Sequence, residues 1–426
     1  MAYSRLIKNA NFLKLWFAQI TSQLAQNLLN FALIIRVFDL ASGTKFANLA
    51  VSFLILSFAI PSIIFAVFAG NYIDHLDRKK VLVISNLLRA GLVLFFLVFE
   101  NNLFMVYAII FTISTITQFF FPAEAAALPN LVKDKKDYPS ANSLFIFTLY
   151  SSFIVGYSLA GPIIKLFGPD AVYYFTSGAF GLAAILSMLL PKMKAITHTS
   201  IHWARLIHKI IKNITTDTKE IFSDRKLLFP ILQMTLAQGI IGVIIVLSPS
   251  LANVILHQDL ASASHILILP TGLGTVLGAI VIGQFMKKAN KVRIIKIGII
   301  FAGISLIFLP LTKNYLRPPY LEYATMAIAF ILGFMNALVT ISAQTLLQLH
   351  SEDEVRGRVF GTLNMMINIA ATIPTLLAGL TADLISSTSV VLIVGMLVLA
   401  FGIVQSIIFR DLKPKGIDIH TLDHLS

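Results

Sequence analysis

The chain has 426 residues, 57% of them hydrophobic and only 12% charged, with a mean hydropathy of +0.84. Soluble domains carry about 25% charged residues, so an ordinary soluble enzyme or binding domain is excluded. Cysteine is absent, which removes disulfides, thiolate chemistry and Cys-ligated metal sites, and the net charge of +13 must be judged by where the charges lie. Met1 to Asn11 is polar, with Arg5 and Lys8, and no small-residue cleavage site follows the first apolar run. This reads as a retained first span rather than a signal peptide. Twelve apolar runs then follow, at 12–38, 47–69, 81–99, 103–128, 141–166, 171–190, 228–254, 264–286, 294–311, 321–347, 358–385 and 388–409. Helices of these lengths suit a hydrocarbon core about 30 Å thick. The expected fold class is all-α integral membrane, with twelve transmembrane helices in two six-helix halves. The halves are 1–190 and 228–426, joined by a linker at 191–227.

With the N-terminus placed in the cytoplasm, 28 of the 33 Lys and Arg residues fall on the inner side. Arg36, Lys45, Lys165, Lys313 and Arg317 remain outside. The positive-inside bias therefore puts both termini in the cytoplasm and explains the basic charge by topology and anionic lipid, without nucleic acid. Within the linker, Trp203, Leu206, Ile207, Ile210, Ile211 and Ile214 recur at helical spacing, with Arg205, His208, Lys209 and Lys212 between them. This predicts a basic amphipathic helix on the inner leaflet, which serves either as a tether or as a regulatory element.

Gln19, Gln23, Gln26, Asn27 and Asn30 share one face of the first span. Amides facing lipid are costly, so this face is expected to line a substrate cavity, the alternative being hydrogen bonding that glues helices together. Gln233 and Gln238 in the seventh span, and Asn364 and Asn368 in the eleventh, are candidates for the same cavity. Charges inside the spans are few: Arg36, Arg89, Glu124 and Asp383. Gly272, Gly274 and Gly278 give the eighth span a small-residue face, suited to rocking or to ordinary close packing. No zinc spacing and no G-x-x-x-x-G-K-[ST] loop is present, so neither metal nor cofactor is expected and ATP is not the drive.

The stretch Gly70-Asn-Tyr-Ile-Asp74-His-Leu-Asp77-Arg78-Lys79-Lys80 is read as a charged turn between the second and third spans. It returns as Gly283-Gln-Phe-Met-Lys287-Lys-Ala-Asn290-Lys291-Val-Arg293. Gly283 stands 213 residues after Gly70, half of the 426-residue length, as duplicated halves require. The first loop resembles the G-x-x-x-D-x-x-D/G-R-[RK] signature of the major facilitator superfamily. Phe12-Leu-Lys-Leu-Trp16, Phe121-Pro-Ala-Glu124-Ala-Ala-Ala-Leu-Pro129-Asn-Leu-Val132, Ala141-Asn142-Ser143-Leu144 and Arg356-Gly-Arg358-Val-Phe-Gly361 resemble its drug and siderophore exporter branch. The branch pattern D-L-x-R-A is here Asn86-Leu-Leu-Arg89-Ala90, so a carboxylate is missing, and the fourth span lacks the arginine found in many proton-driven exporters.

The resemblance implies a proton-coupled exporter of an amphipathic small molecule, a drug or siderophore, working by alternating access in the bacterial cytoplasmic membrane. It implies a conformational latch at Gly70, Asp74, Asp77, Arg78 and Lys80, with Arg356 and Arg358 as candidate partners. It also implies proton coupling at Glu124 with Arg89; the alternative is that Glu124 is a structural partner for a lysine or for Arg89 near the inner face. Gly161-Pro162 resembles the end of the antiporter signature, and a helix bend is expected there. The expected partners are the substrate, protons and the bilayer, and the expected state is monomeric. Uptake and lysophospholipid flipping by the same fold remain open, as does a non-transporting membrane sensor or assembly factor.

Overall fold

The computed structural model describes residues 2–73, 76–132, 134–193, 225–286, 289–350 and 372–408. No strand occurs among them, and eleven helices are long and apolar enough to cross a membrane. A short leading helix, Ala2–Lys8, precedes six spans: Ala10–Ala41, Ala47–Ile73, Arg78–Leu94 (with Phe96–Phe99), Leu103–Leu131, Tyr138–Phe167 and Ala171–Met188. The seventh, Arg225–Leu251, runs into a π-turn at Ala252–Leu256. Leu260–Gln284, Lys291–Tyr315 and Tyr320–His350 are the eighth to tenth. Thr372–Leu384 is the described part of the eleventh, and Ser387–Ile408 is the twelfth. The amphipathic helix expected in the linker, and Asp74, Lys287, Arg356, Arg358, Asn364 and Asn368, fall outside the described residues.

Large apolar side chains such as Val98, Phe104, Leu166, Leu397 and Ile407 stand exposed on the spans. In water such a surface would aggregate; in lipid it is the solvent-facing side.

By contacts the chain divides into two compact units. The first comprises the described residues of Met1–Ile201, Val246–Ile268 and Leu376–Leu384. In it the first span packs on the fifth and sixth, the second on the fourth, and the third on the fourth and sixth. Its apolar floor gathers Leu6, Phe12, Leu15, Ile73, Phe120, Leu128 and Phe145. The leading helix is tied down by Arg5, which donates twice to Asp137, at 2.9 and 2.6 Å. That hydrogen bonding holds the Asp137 carboxyl below its ordinary range. With a depressed folded value, the tie is present at neutral pH and lost only as pH falls through that lowered value. In the second unit the ninth span packs on both the tenth and the twelfth.

Polar residues at the helix starts set the boundaries. Asn9 Oδ1 accepts from the Asn11 and Phe12 amides, Asn102 Oδ1 from Met105 N, and Asp259 from Ser262 N. One boundary differs from the sequence reading. Gly70 is not in the turn: the second span continues through it to Ile73, whose side chain is buried in the apolar floor. Arg36, one of the few charges inside the spans, is paired: its Nη2 donates to Glu100 Oε1 at 2.8 Å, and to Asn101 Oδ1.

Candidate functional site

Glu124 and Arg89 are buried charged groups on the packed fourth and third spans of the first unit. Glu124 lies on the fourth span among Phe120, Ala123, Ala127 and Leu128 and is 4% exposed. Its Oε1 has no hydrogen-bond partner. Arg89, on the third span, is 1% exposed. Its guanidinium lies between two rings, 4.3 Å from the centroid of Phe120 and 4.7 Å from that of Phe180. Nη2 donates to Asn86 Oδ1 at 2.7 Å, and Nε donates to the Ser85 carbonyl at 3.3 Å. Asn86 thus holds the arginine from one helical turn away, without the carboxylate of the branch pattern. Cation–π contact supplies much of the remaining compensation.

Phe120 and Glu124 are one turn apart on the same helix face, so the ring under Arg89 leads directly to the carboxylate. The two charges attract each other, yet no ion pair within 4.0 Å joins them. An unpaired buried carboxylate costs several kcal/mol unless it is discharged by a proton or meets a partner. Sequence reading named Arg89, Asn86 and Glu124 but missed Phe120 and Phe180, which reach Arg89 from the fourth and sixth spans and carry no local signal.

The amides of the first span divide among several surroundings. Gln19 is buried against the fifth span, where its Nε2 donates to the Phe145 carbonyl at 3.4 Å while Oε1 has no partner. Asn27 Nδ2 donates to the carbonyl of buried Gln23, and its Cβ lies close to Gly156 of the fifth span. Gln26 and Asn30 are half-buried and joined, Nε2 to Oδ1, at 2.8 Å. Gln26 Oε1 and Ser22 Oγ are left without partners. In the second unit Gln233 is fully buried with both amide atoms unpaired, whereas Gln238 is exposed.

At the charged loop, Asp77 is the N-cap of the third span, its Oδ1 accepting from Lys79 N at 3.0 Å. Asn290, its counterpart in the second half, caps the ninth span by accepting from Arg293 N at 3.2 Å. The backbone angles agree: φ −68°, ψ 108° at Asp77 and φ −64°, ψ 107° at Asn290. The duplication has therefore kept the cap while losing the charge. Arg78 is buried with Nε unpartnered, and Lys80 is exposed. Asp77→Ala and Asn290→Ala should each lower stability by about 1 kcal/mol, read as an earlier thermal unfolding of the solubilised protein. Equal unfolding temperatures would show that the caps contribute nothing.

The fifth helix passes through Pro162 without interruption. A Cβ on Gly161 would stand 2.4 Å from the Ala261 carbonyl oxygen, so this glycine lets the fifth span meet the start of the eighth. Gly274 and Gly278 of the eighth span face the tenth, against Phe330, Phe334 and Ala337, so that small-residue face serves packing within the second unit.

Residues 15–320 match the pattern of the Major Facilitator Superfamily. The chain belongs to that superfamily. Among its relatives, the uncharacterized MFS-type transporter YkuC of Bacillus subtilis is 27% identical over 374 residues, covering 84% of this chain and 82% of that protein. Macrolide efflux protein A of Streptococcus pyogenes is 24% identical over 402 residues, covering 92% and 94%. The crystal structure of the nucleoside transporter NupG superposes with a TM-score of 0.71 at 14% identity, over 93% of this chain and 99% of that one, which establishes the shared fold. The protein is thus a multi-pass membrane transporter of the superfamily rather than an enzyme.

Proposed function

We propose that this transporter exports an amphipathic small molecule of the drug class, exchanging it for protons by alternating access. The direction is supported by efflux proteins among the relatives, which the chain matches over most of their length. The observation that carries the coupling is the Glu124 carboxylate, buried and unpaired one turn from the aromatic seat of Arg89. A carboxyl that is sealed in one state and wetted in another takes up a proton and gives it back once per cycle. The unpartnered oxygens of Gln19, Ser22 and Gln26 support reading the first span as a wall of the substrate pathway, and the unpaired amide of buried Gln233 supports the same reading for the seventh. Asp77 and Arg78, the cap and first residue of the third span, act on this reading in a gate on the side of the termini, which the charge bias puts in the cytoplasm of a bacterial cell. On this reading the six-helix halves 1–190 and 228–426 rock about the substrate as a monomer, with 191–227 as tether.

The test of this reading is accumulation of an amphipathic dye in cells with and without the protein. Lower accumulation with the protein, abolished when the proton gradient is collapsed, is the expected result. Higher accumulation with the protein would indicate uptake and end the export reading. The pathway has its own test, since the chain has no cysteine of its own. A cysteine at Gln26 or Asn30 should react with a water-soluble thiol reagent, and transported dye should slow the reaction about tenfold at saturation. Failure to react in any condition would make those amides helix glue.

A further inference from the structure

The first unit contains an acidic contact with no place in the scheme above. Asp383, near the end of the eleventh span, binds the beginning of the second. Its Oδ1 accepts from Asn48 N at 3.0 Å and from Asn48 Nδ2 at 2.7 Å, and its Oδ2 accepts from Leu49 N at 2.8 Å. The amides at a helix start have no partner within the helix and carry partial positive charge, so a carboxylate there is doubly favoured. Three charge-assisted hydrogen bonds converge on one side chain. One turn earlier, Gly379 presses on the same helix: a Cβ there would lie 2.0 Å from Ser52 Oγ and 2.7 Å from the Asn48 carbonyl oxygen. Gly379 and Asp383 of one helix thus seat on Asn48 and Ser52 of the other, each pair four residues apart and so on one face.

The two partners are 335 residues apart and come from opposite halves of the duplicated sequence. The contact sits at the ends of the spans away from the termini, opposite the charged loop. A permanent tie at that place would prevent a transporter that alternates between two accesses from opening there.

We propose that Asp383 is the catch of a reversible clamp on the far face, holding the start of the second span while that face is closed and releasing it when it opens. The Asp383 carboxylate supplies the binding charge, Gly379 the close fit, and the bare amides of Asn48 and Leu49 the receptor. The clamp rests on alternating access alone and is independent of substrate, direction and coupling ion.

Ser52 is fully buried beside Gly379, so Ser52→Cys places a thiol of nearly the same size just beneath the clamp. In an otherwise cysteine-free chain its reaction with a membrane-impermeant maleimide reports opening from whichever face the reagent is applied. Asp383→Ala should speed labelling from the far face about tenfold, the equivalent of one charge-assisted hydrogen bond. Asp383→Asn, which keeps the size and one acceptor, should speed it less and covers the case in which the alanine variant does not reach the membrane. Labelling from the side of the termini, measured in vesicles of opposite orientation, should not rise. Equal far-face rates with Asp383 and with whichever variant reaches the membrane would overturn the proposal. A rise from both faces would also overturn it, since that is the sign of local loosening. Both results are read without any transport assay, so a failed export reading and a failed clamp are separable.

Discussion

Glu124→Gln is expected to abolish uphill transport while the protein still reaches the membrane and still binds substrate. Glutamine keeps the size of the side chain and its hydrogen-bonding capacity but cannot gain or lose a proton. Because Glu124 Oε1 has no partner to lose, the amide breaks no observed contact. It also removes the cost of burying a charge, so the variant should be at least as stable as the parent. The loss should be confined to coupling: accumulation against a gradient falls at least about tenfold, and downhill movement persists. Full proton-driven transport by a well-expressed Glu124→Gln protein would remove this residue from the mechanism. Lost membrane level would instead identify Glu124 as a structural partner of Arg89.

Gly333→Val should have the largest effect on folding. A Cβ at this position in the tenth span would lie 1.9 Å from the Thr271 carbonyl oxygen and 2.7 Å from its carbonyl carbon. From the other side, a Cβ on Gly274 would lie 2.1 Å from the Phe330 carbonyl oxygen. Both obstacles are backbone, which cannot swing aside as a side chain does. In lipid, helices hold together through close packing rather than through water expulsion, so forcing this pair apart removes most of its attraction. The expected cost is at the upper end of the overpacking range, about 3 kcal/mol, and the amount of folded protein in the membrane should collapse. Gly178→Ala and Gly181→Ala, where an added Cβ meets nothing within 4 Å, should leave the level unchanged. Normal levels of Gly333→Val would show that the two helices can separate without loss.

The spans were legible because a long apolar run has one outcome in a bilayer: a helix that satisfies its own backbone. Asp77 and Asn290 were legible as related positions from the 213-residue repeat, but their shared task as caps emerged from the backbone geometry. Gly70 was misplaced because glycine alone does not end a helix, and burial of Ile73 in the apolar floor one turn later keeps this one going. The small-residue face at Gly274 and Gly278 was visible, but its partner was not, since close packing leaves no mark on the partner's sequence beyond another small residue such as Gly333. Burial of Glu124 followed from its place in the fourth span. The seat of Arg89 did not, because Phe120 and Phe180 are brought together only by packing of three helices. Asp383 and its receptor at Asn48 are further still from any local signal.

Coupling of solute export to protons is tested most directly with the purified protein in sealed vesicles loaded with an amphipathic fluorescent dye. When a proton gradient is imposed, the dye should move uphill, opposite to the flow of protons, and the movement should cease when a protonophore is added. Dye flux that ignores the gradient, or that runs in the same direction as the protons, would contradict proton-coupled export.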